Sequence, residues 1–259
     1  MKPSLALYFI LCLTLLACQP NTEQNQQATE VNLPVASATL SEPVNISEKY
    51  LQPNELVYSS ADDEGVIVTK FYPIGWGVNG EFAYLTEPAD EACGCYFLTA
   101  NIIDNQGQEL WKWEYNSSEL QEPLQVELAD VWQQYANLIQ GKLKEYGISQ
   151  QTSWIITPNQ FDDNGTRLIV NSKIQKGNSE VFAFDVVKQS EFYLNDNSKE
   201  KERVTKKHDE YDLILSEELI GVLRHPSQKR LVAIAKTTQH GFEPPPNVLS
   251  FYLVGFEWD

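Results

Sequence analysis

Two thiols separated by one glycine, Cys93 and Cys95, are the sharpest chemical feature of the chain. Such a pair can close a disulfide, exchange one with a client, or contribute to a soft-metal site. The Cys-x-x-Cys spacing of thioredoxin-like enzymes is absent, and zinc would need two further ligands from scattered His or carboxylates. A Cys-Gly-Cys bridge closes a very small, strained ring, and strained bridges are the labile ones. The expectation is a local structural staple joining Cys93 to Cys95, with thiol redox catalysis as the rival.

Other constellations were sought by the geometry their chemistry demands. The chain has three His, at 208, 225 and 240, and none has a partner four residues on that could share a zinc ion on a helix face. No Gly-x-Ser-x-Gly elbow, phosphate loop or dinucleotide fingerprint occurs. The segments Asp62-Asp63-Glu64-Gly65 and Asp162-Asp163-Asn164-Gly165 resemble calcium loops only at their centres: their first positions would be Ser60 and Gln160, and their twelfth Phe71 and Asn171, where a bidentate Glu belongs. A glycine-containing β-turn accounts for the second. No metal or cofactor is expected. A hydrolase built on two carboxylates distant in sequence remains the other enzymatic alternative, since such a pair is visible only in a fold.

Charge narrows the partners. Over 259 residues, 36 acidic side chains face 19 basic ones, giving a net charge of -17 and a pI near 4.5. Nucleic acid needs clustered Lys and Arg to neutralise phosphate and is not expected; acidic substrates are disfavoured for the same reason. The exception is Lys199 to Lys207 (KEKERVTKK), where Lys199, Lys201, Arg203, Lys206 and Lys207 gather. It reads as a solvated basic loop that could steer an anionic partner, either lipopolysaccharide or an acidic protein face.

The N-terminus supplies an address. Leu5 to Ala17 form an apolar run of 13 residues after Lys2, shorter than the about 20 residues that span a bilayer, and Cys18 follows. Leu15-Leu16-Ala17-Cys18 resembles the lipobox of bacterial lipoproteins. The resemblance implies that residues 1–17 are a signal peptide, that Cys18 becomes the lipidated first residue, and that several acyl chains anchor the protein stably in a membrane. Gln19, where many inner-membrane lipoproteins carry Asp, implies the outer membrane with the domain facing the periplasm. An ordinary secreted protein, or a cytosolic one with an apolar start, are the alternatives.

Residues 18–49 are rich in Gln, Asn, Thr, Ser, Glu and Pro and lack an aromatic residue, the composition of a flexible tether. From Tyr50 to the end, short Val, Ile, Tyr, Phe and Trp runs between turn residues predict a mostly antiparallel β domain, 50–259, of α+β class. Strands are expected at Leu56 to Ser59, Val66 to Tyr72, Phe82 to Thr86, Cys95 to Ile103, Glu109 to Tyr115, Trp154 to Thr157, Arg167 to Asn171, Val181 to Val187, Phe192 to Leu194, Tyr211 to Leu215, Arg230 to Lys236 and Val248 to Trp258. Asp104 to Gly107 is a hairpin turn. One helix, about 124–147, is expected from Leu128, Val131, Trp132, Tyr135, Leu138, Ile139, Leu143 and Tyr146, with Gly147 and Ile148 as its stop.

Three stretches repeat a turn followed by an apolar strand: Trp76 to Ala83, Phe161 to Leu168, and Arg224 to Leu231. They resemble the turn of TolB-type β-propeller blades, which implies degenerate, propeller-like blades; an unrelated mostly-β fold that uses the same hairpin chemistry is the alternative. Their turn positions, 79, 164 and 227, are irregularly spaced. The function expected is a lipid-anchored envelope binding or scaffold module, held to the membrane through Cys18 and meeting an envelope protein partner.

Overall fold

The protein is seen in a computed structural model that describes residues 50–59, 65–90, 94–119, 126–180, 182–197, 199–241 and 246–259. The expected signal peptide, Cys18, the tether and Cys93 lie outside the described residues.

Among the described residues, thirteen strands form three sheets. The first sheet is a meander of β2 (Lys70–Trp76), β3 (Phe82–Glu87), β4 (Phe97–Ile103) and β5 (Glu109–Asn116), extended beyond β2 by the two-residue β6 (Ser149–Gln150). The second joins β7 (Gln160–Asp163), β8 (Thr166–Asn178), β9 (Asp185–Asp196) and β10 (Lys199–Lys207). The third joins β11 (Ile214–Arg224), β12 (Arg230–Gln239) and β13 (Asn247–Glu257), with β1 (Val66–Val68) added in parallel beside β13. All other pairings are antiparallel, so the domain is β-rich α+β. None of these sheets closes on itself among the described residues.

Alternation along the central strands sets the layers. On β12, Leu231, Ala233 and Ala235 pack against the second sheet, while Val232 and Ile234 pack against the first. On β3, Phe82 faces the third sheet, whereas Ala83 and Leu85 face the helix. Strands buried on both faces read as continuous apolar runs, which is why β3, β12 and β13 were legible. The single helix, α1 (Leu128–Glu145), covers the outer face of the first sheet with Leu128, Val131, Trp132, Ile139 and Leu143. Glu127 and Asp130 cap its start reciprocally. At its end Ile148 N–H donates to Leu143 O at 2.8 Å and Gly147 N–H to Lys144 O at 3.0 Å, with Gly147 at φ +61. This is the left-handed stop expected of Gly147-Ile148. Leu138, expected on the buried stripe, is 47% exposed.

The structure corrects several expectations. Lys199 to Lys207 is not a loop: it is strand β10, paired to β9 along its length. Leu56 to Ser59 has no strand pairing, and Trp154 to Thr157 contributes one bridge, Thr157 to Val222. The strands expected at Val181 to Val187 and at Phe192 to Leu194 are one strand, β9, starting at Asp185. Tyr211 belongs to a short 3-10 turn (Glu210–Asp212), and the strand expected there begins at Ile214 and runs to Arg224.

Candidate functional site

The three repeated turns occupy equivalent places, each joining the first two strands of its meander: β2 to β3, β7 to β8, and β11 to β12. Two of them stand side by side. Between Trp76-Gly77-Val78, Ser149-Gln150-Gln151 and His225-Pro226-Ser227-Gln228 lies an open cleft of about 570 Å³.

Each wall is fixed locally. The β2–β3 turn closes through Gly77 N–H to Glu81 O at 2.8 Å, and Gly80 sits at φ +92 against Arg230. That φ suits glycine, and a Cβ there would also fall 1.8 Å from an Arg230 guanidinium nitrogen and force that side chain to move. Across the cleft, His225 Nδ1 accepts from Ser227 N–H at 3.1 Å and Gln228 N–H at 2.9 Å. Two donors at Nδ1 fix the tautomer that carries its proton on Nε2. Burial, then the Arg230 charge, hold the His225 pKa below the usual imidazole value, so the ring is a neutral Nε2–H donor at pH 7. Gln228 Nε2 reaches Val78 O at 3.1 Å and ties the two turns together.

Among the described residues no charged side chain lines the cleft, and two of its polar groups, Trp76 Nε1–H and Gln151 Oε1, are buried without a hydrogen bond. Buried polar groups are normally satisfied, and each one left unmade costs about 1–3 kcal/mol. The third wall also receives the start of the domain. Gln150 Oε1 accepts from Leu51 N–H and Gln150 Nε2 donates to Leu51 O, both at 2.8 Å, while Tyr50 donates its hydroxyl to Ile148 O at 2.6 Å.

Two buried carboxylates lie elsewhere. Glu87 Oε1 accepts from Tyr72 and Tyr96 hydroxyls, each at 2.8 Å, and Oε2 pairs with Lys70 Nζ at 2.7 Å. Burial first, and the Glu87 carboxylate second, hold both tyrosines above the usual phenol range. Glu217 has His208 Nε2 at 3.1 Å from Oε2, with side chains 0% and 2% exposed. Ser190, fully buried, places Oγ 3.4 Å from the same Nε2. Ser, His and Glu are the residue types of a hydrolase triad, but there the Ser and the acid use opposite ring nitrogens and the Ser is open to substrate. Here both address one nitrogen inside a sheet interface, the arrangement of a structural polar layer. The His208 side chain is buried between β9, β11 and β13.

The sequence-predicted residues are dispersed. Cys95 is disulfide-bonded, and its N–H donates to Asp90 Oδ2 at 2.7 Å. Lys199, Lys201, Arg203, Lys206 and Lys207 lie on β10, away from the cleft lining. Among the described residues no group of His, Cys, Asp and Glu could hold a metal ion. The cleft was missed although two of its walls had been singled out as repeats, because only the stacking of the first and third sheets brings residues 76 and 225 together.

No protein-family model, curated protein or solved structure matches the chain.

Proposed function

We propose that the protein is a lipid-anchored lipoprotein of the bacterial outer membrane, facing the periplasm, and that its folded domain is a binding module. The observation that carries the binding role is the cleft between the β2–β3 and β11–β12 turns, uncharged and holding an unpaired indole N–H, an unpaired amide oxygen and a neutral imidazole. That set suits an uncharged ligand that both donates and accepts hydrogen bonds. The address rests on Leu15-Leu16-Ala17-Cys18. The common position of the repeated turns supports the further view that each meander is a degenerate blade of the TolB type, packed face to face with the next.

Two experiments test this. Cys18→Ala should abolish labelling by a palmitate analogue and release the protein from membranes; a mutant still labelled and membrane-bound refutes the anchor. Ser227→Trp places an indole in the cleft from an exposed turn. Native mass spectrometry of protein purified from the envelope should show a small molecule retained by the wild type and lost from Ser227→Trp. Identical spectra would refute the cleft as the binding site.

A further inference from the structure

Strand β10 ends the second sheet: β9 pairs one side of it, and among the described residues no strand pairs the other. Every second residue of its nine therefore turns its backbone N–H and C=O outward along one edge, a template for another strand. Side chains alternate along it from Glu202 onward. Arg203, Thr205 and Lys207 are exposed on the outer face, while Glu202 and Val204 are partly covered on the inner one. Lys201 is exposed at a bulge, where the register with β9 shifts between Glu200 and Glu202. Arg203 engages Glu200 at 3.0 Å and lies 4.8 Å from the centre of the Tyr193 ring. Lys201 stands 3.5 Å from Asp196.

The inner face leads into a hollow of about 370 Å³ of mixed lining, apolar at Ile103, Val204, Leu253 and Val254 and polar elsewhere, with Lys206 and Glu109 among its polar groups. An added strand would send one set of alternate side chains over this hollow and the other beside the basic row. Two copies of β10 paired to each other would instead set Lys and Arg against Lys and Arg, which disfavours self-association. Charge therefore selects the occupant, since net charge outside this strand is strongly negative while β10 carries five basic and two acidic residues.

We propose that β10 is a docking edge for an extended segment of a partner protein in which acidic and apolar residues alternate, bound by strand addition. Main-chain hydrogen bonds hold the segment, acidic side chains meet Lys201, Arg203 and Lys207, and apolar ones enter the hollow beside Val204. This surface is separate from the cleft, so the two stand or fall independently.

The test uses the full mature chain in detergent and two nine-residue fluorescent probes of the same composition, one alternating Glu and Val and the other carrying them in two blocks. The alternating probe should bind, weaken with added salt, and slow amide exchange in Lys199–Lys207. Lys201→Glu/Lys207→Glu should weaken it by about tenfold or more, and Lys201→Gln/Lys207→Gln should weaken it less, with the circular dichroism spectrum of each variant unchanged. Equal binding of the block probe would show plain charge attraction and overturn strand addition. Absence of new exchange protection on β10 would do the same. Displacement of the probe by phosphatidylglycerol vesicles, with β10 protected by the vesicles instead, would assign the strand to a lipid surface.

Discussion

Glu87 and Glu217 are both buried carboxylates, yet they are held in opposite ways. Glu87 sits near the start of α1, 8% exposed, with two hydroxyls and an ammonium filling both of its oxygens. Glu217 lies in the interface of the second and third sheets, with His208 Nε2 3.1 Å from Oε2 and the Tyr252 phenol beside it. A carboxylate met by three donors holds its neighbours in register. One that faces an imidazole and a phenol leaves the interior dependent on those two rings, because a buried carboxyl without partners is costly.

The largest expected effect follows from this contrast. His208→Ala should destabilise the domain by about 3–5 kcal/mol in urea unfolding, since it removes the imidazole that faces the buried Glu217 carboxyl. His208→Leu/Glu217→Leu should recover most of that loss. If the double variant is no better than the single, the two residues are not a coupled pair and the contrast fails.

Glu87→Ala should cost about 2–3 kcal/mol by orphaning two hydroxyls, whereas Tyr96→Phe should cost about 1 kcal/mol because Tyr72 and Lys70 still serve the carboxylate. Equal losses from the two variants would mean that Tyr96 alone matters. The raised tyrosines add a pH signature. A phenol whose pKa is higher folded than unfolded binds its proton more tightly in the native state, so this stabilisation is complete below about pH 10 and is lost as pH rises through the folded pKa. Alkaline unfolding of Tyr96→Phe should therefore be less steep than that of the wild type.

His225 gives the opposite sign at the cleft. Its pKa is lowered in the fold, so the stabilisation it contributes is present above about pH 6.5 and is lost as pH falls through the folded value. His225→Asn, which keeps an acceptor for the turn, should flatten the change in Tm between about pH 5 and 7, a shift of only ~1–2 °C. Smallest of all should be the effect of exchanging Lys199, Lys201 and Lys207 for Gln on β10, within about 1–2 °C of the wild-type Tm. A larger drop would show that these lysines brace the sheet.

The helix and the doubly buried strands were readable because burial on a defined face writes a period into the residues. Leu128, Val131, Trp132 and Leu143 mark α1, and the alternating destinations of Leu231 to Ala235 leave an unbroken apolar run on β12. Strand β10 left no such mark. Lys and Glu have low strand propensity, and what makes KEKERVTKK a strand is its pairing with β9, a tertiary fact. The strand expected at Tyr211 to Leu215 stops short of Ser216, Glu217 and Glu218 for the same reason, since three polar residues in a row carry no strand pattern. The Trp76 and His225 turns were visible as repeats, but their meeting across a cleft depends on how two sheets stack, which no local pattern records.

The grip of Gln150 on Leu51 also defines a path for force. Tension along the chain before Tyr50 enters the folded domain at hydrogen bonds that include two of 2.8 Å with the Gln150 amide, one of 2.6 Å to Ile148 O and one of 3.2 Å from Gln140 Nε2 to Tyr50 O. The three shorter ones are held by residues 148 to 150, and behind them stands β6, a strand of two residues. Such a junction is short and would yield before the long meanders do. Because Ser149, Gln150 and Gln151 are also one wall of the cleft, a pull at the front of the domain would spread that wall first.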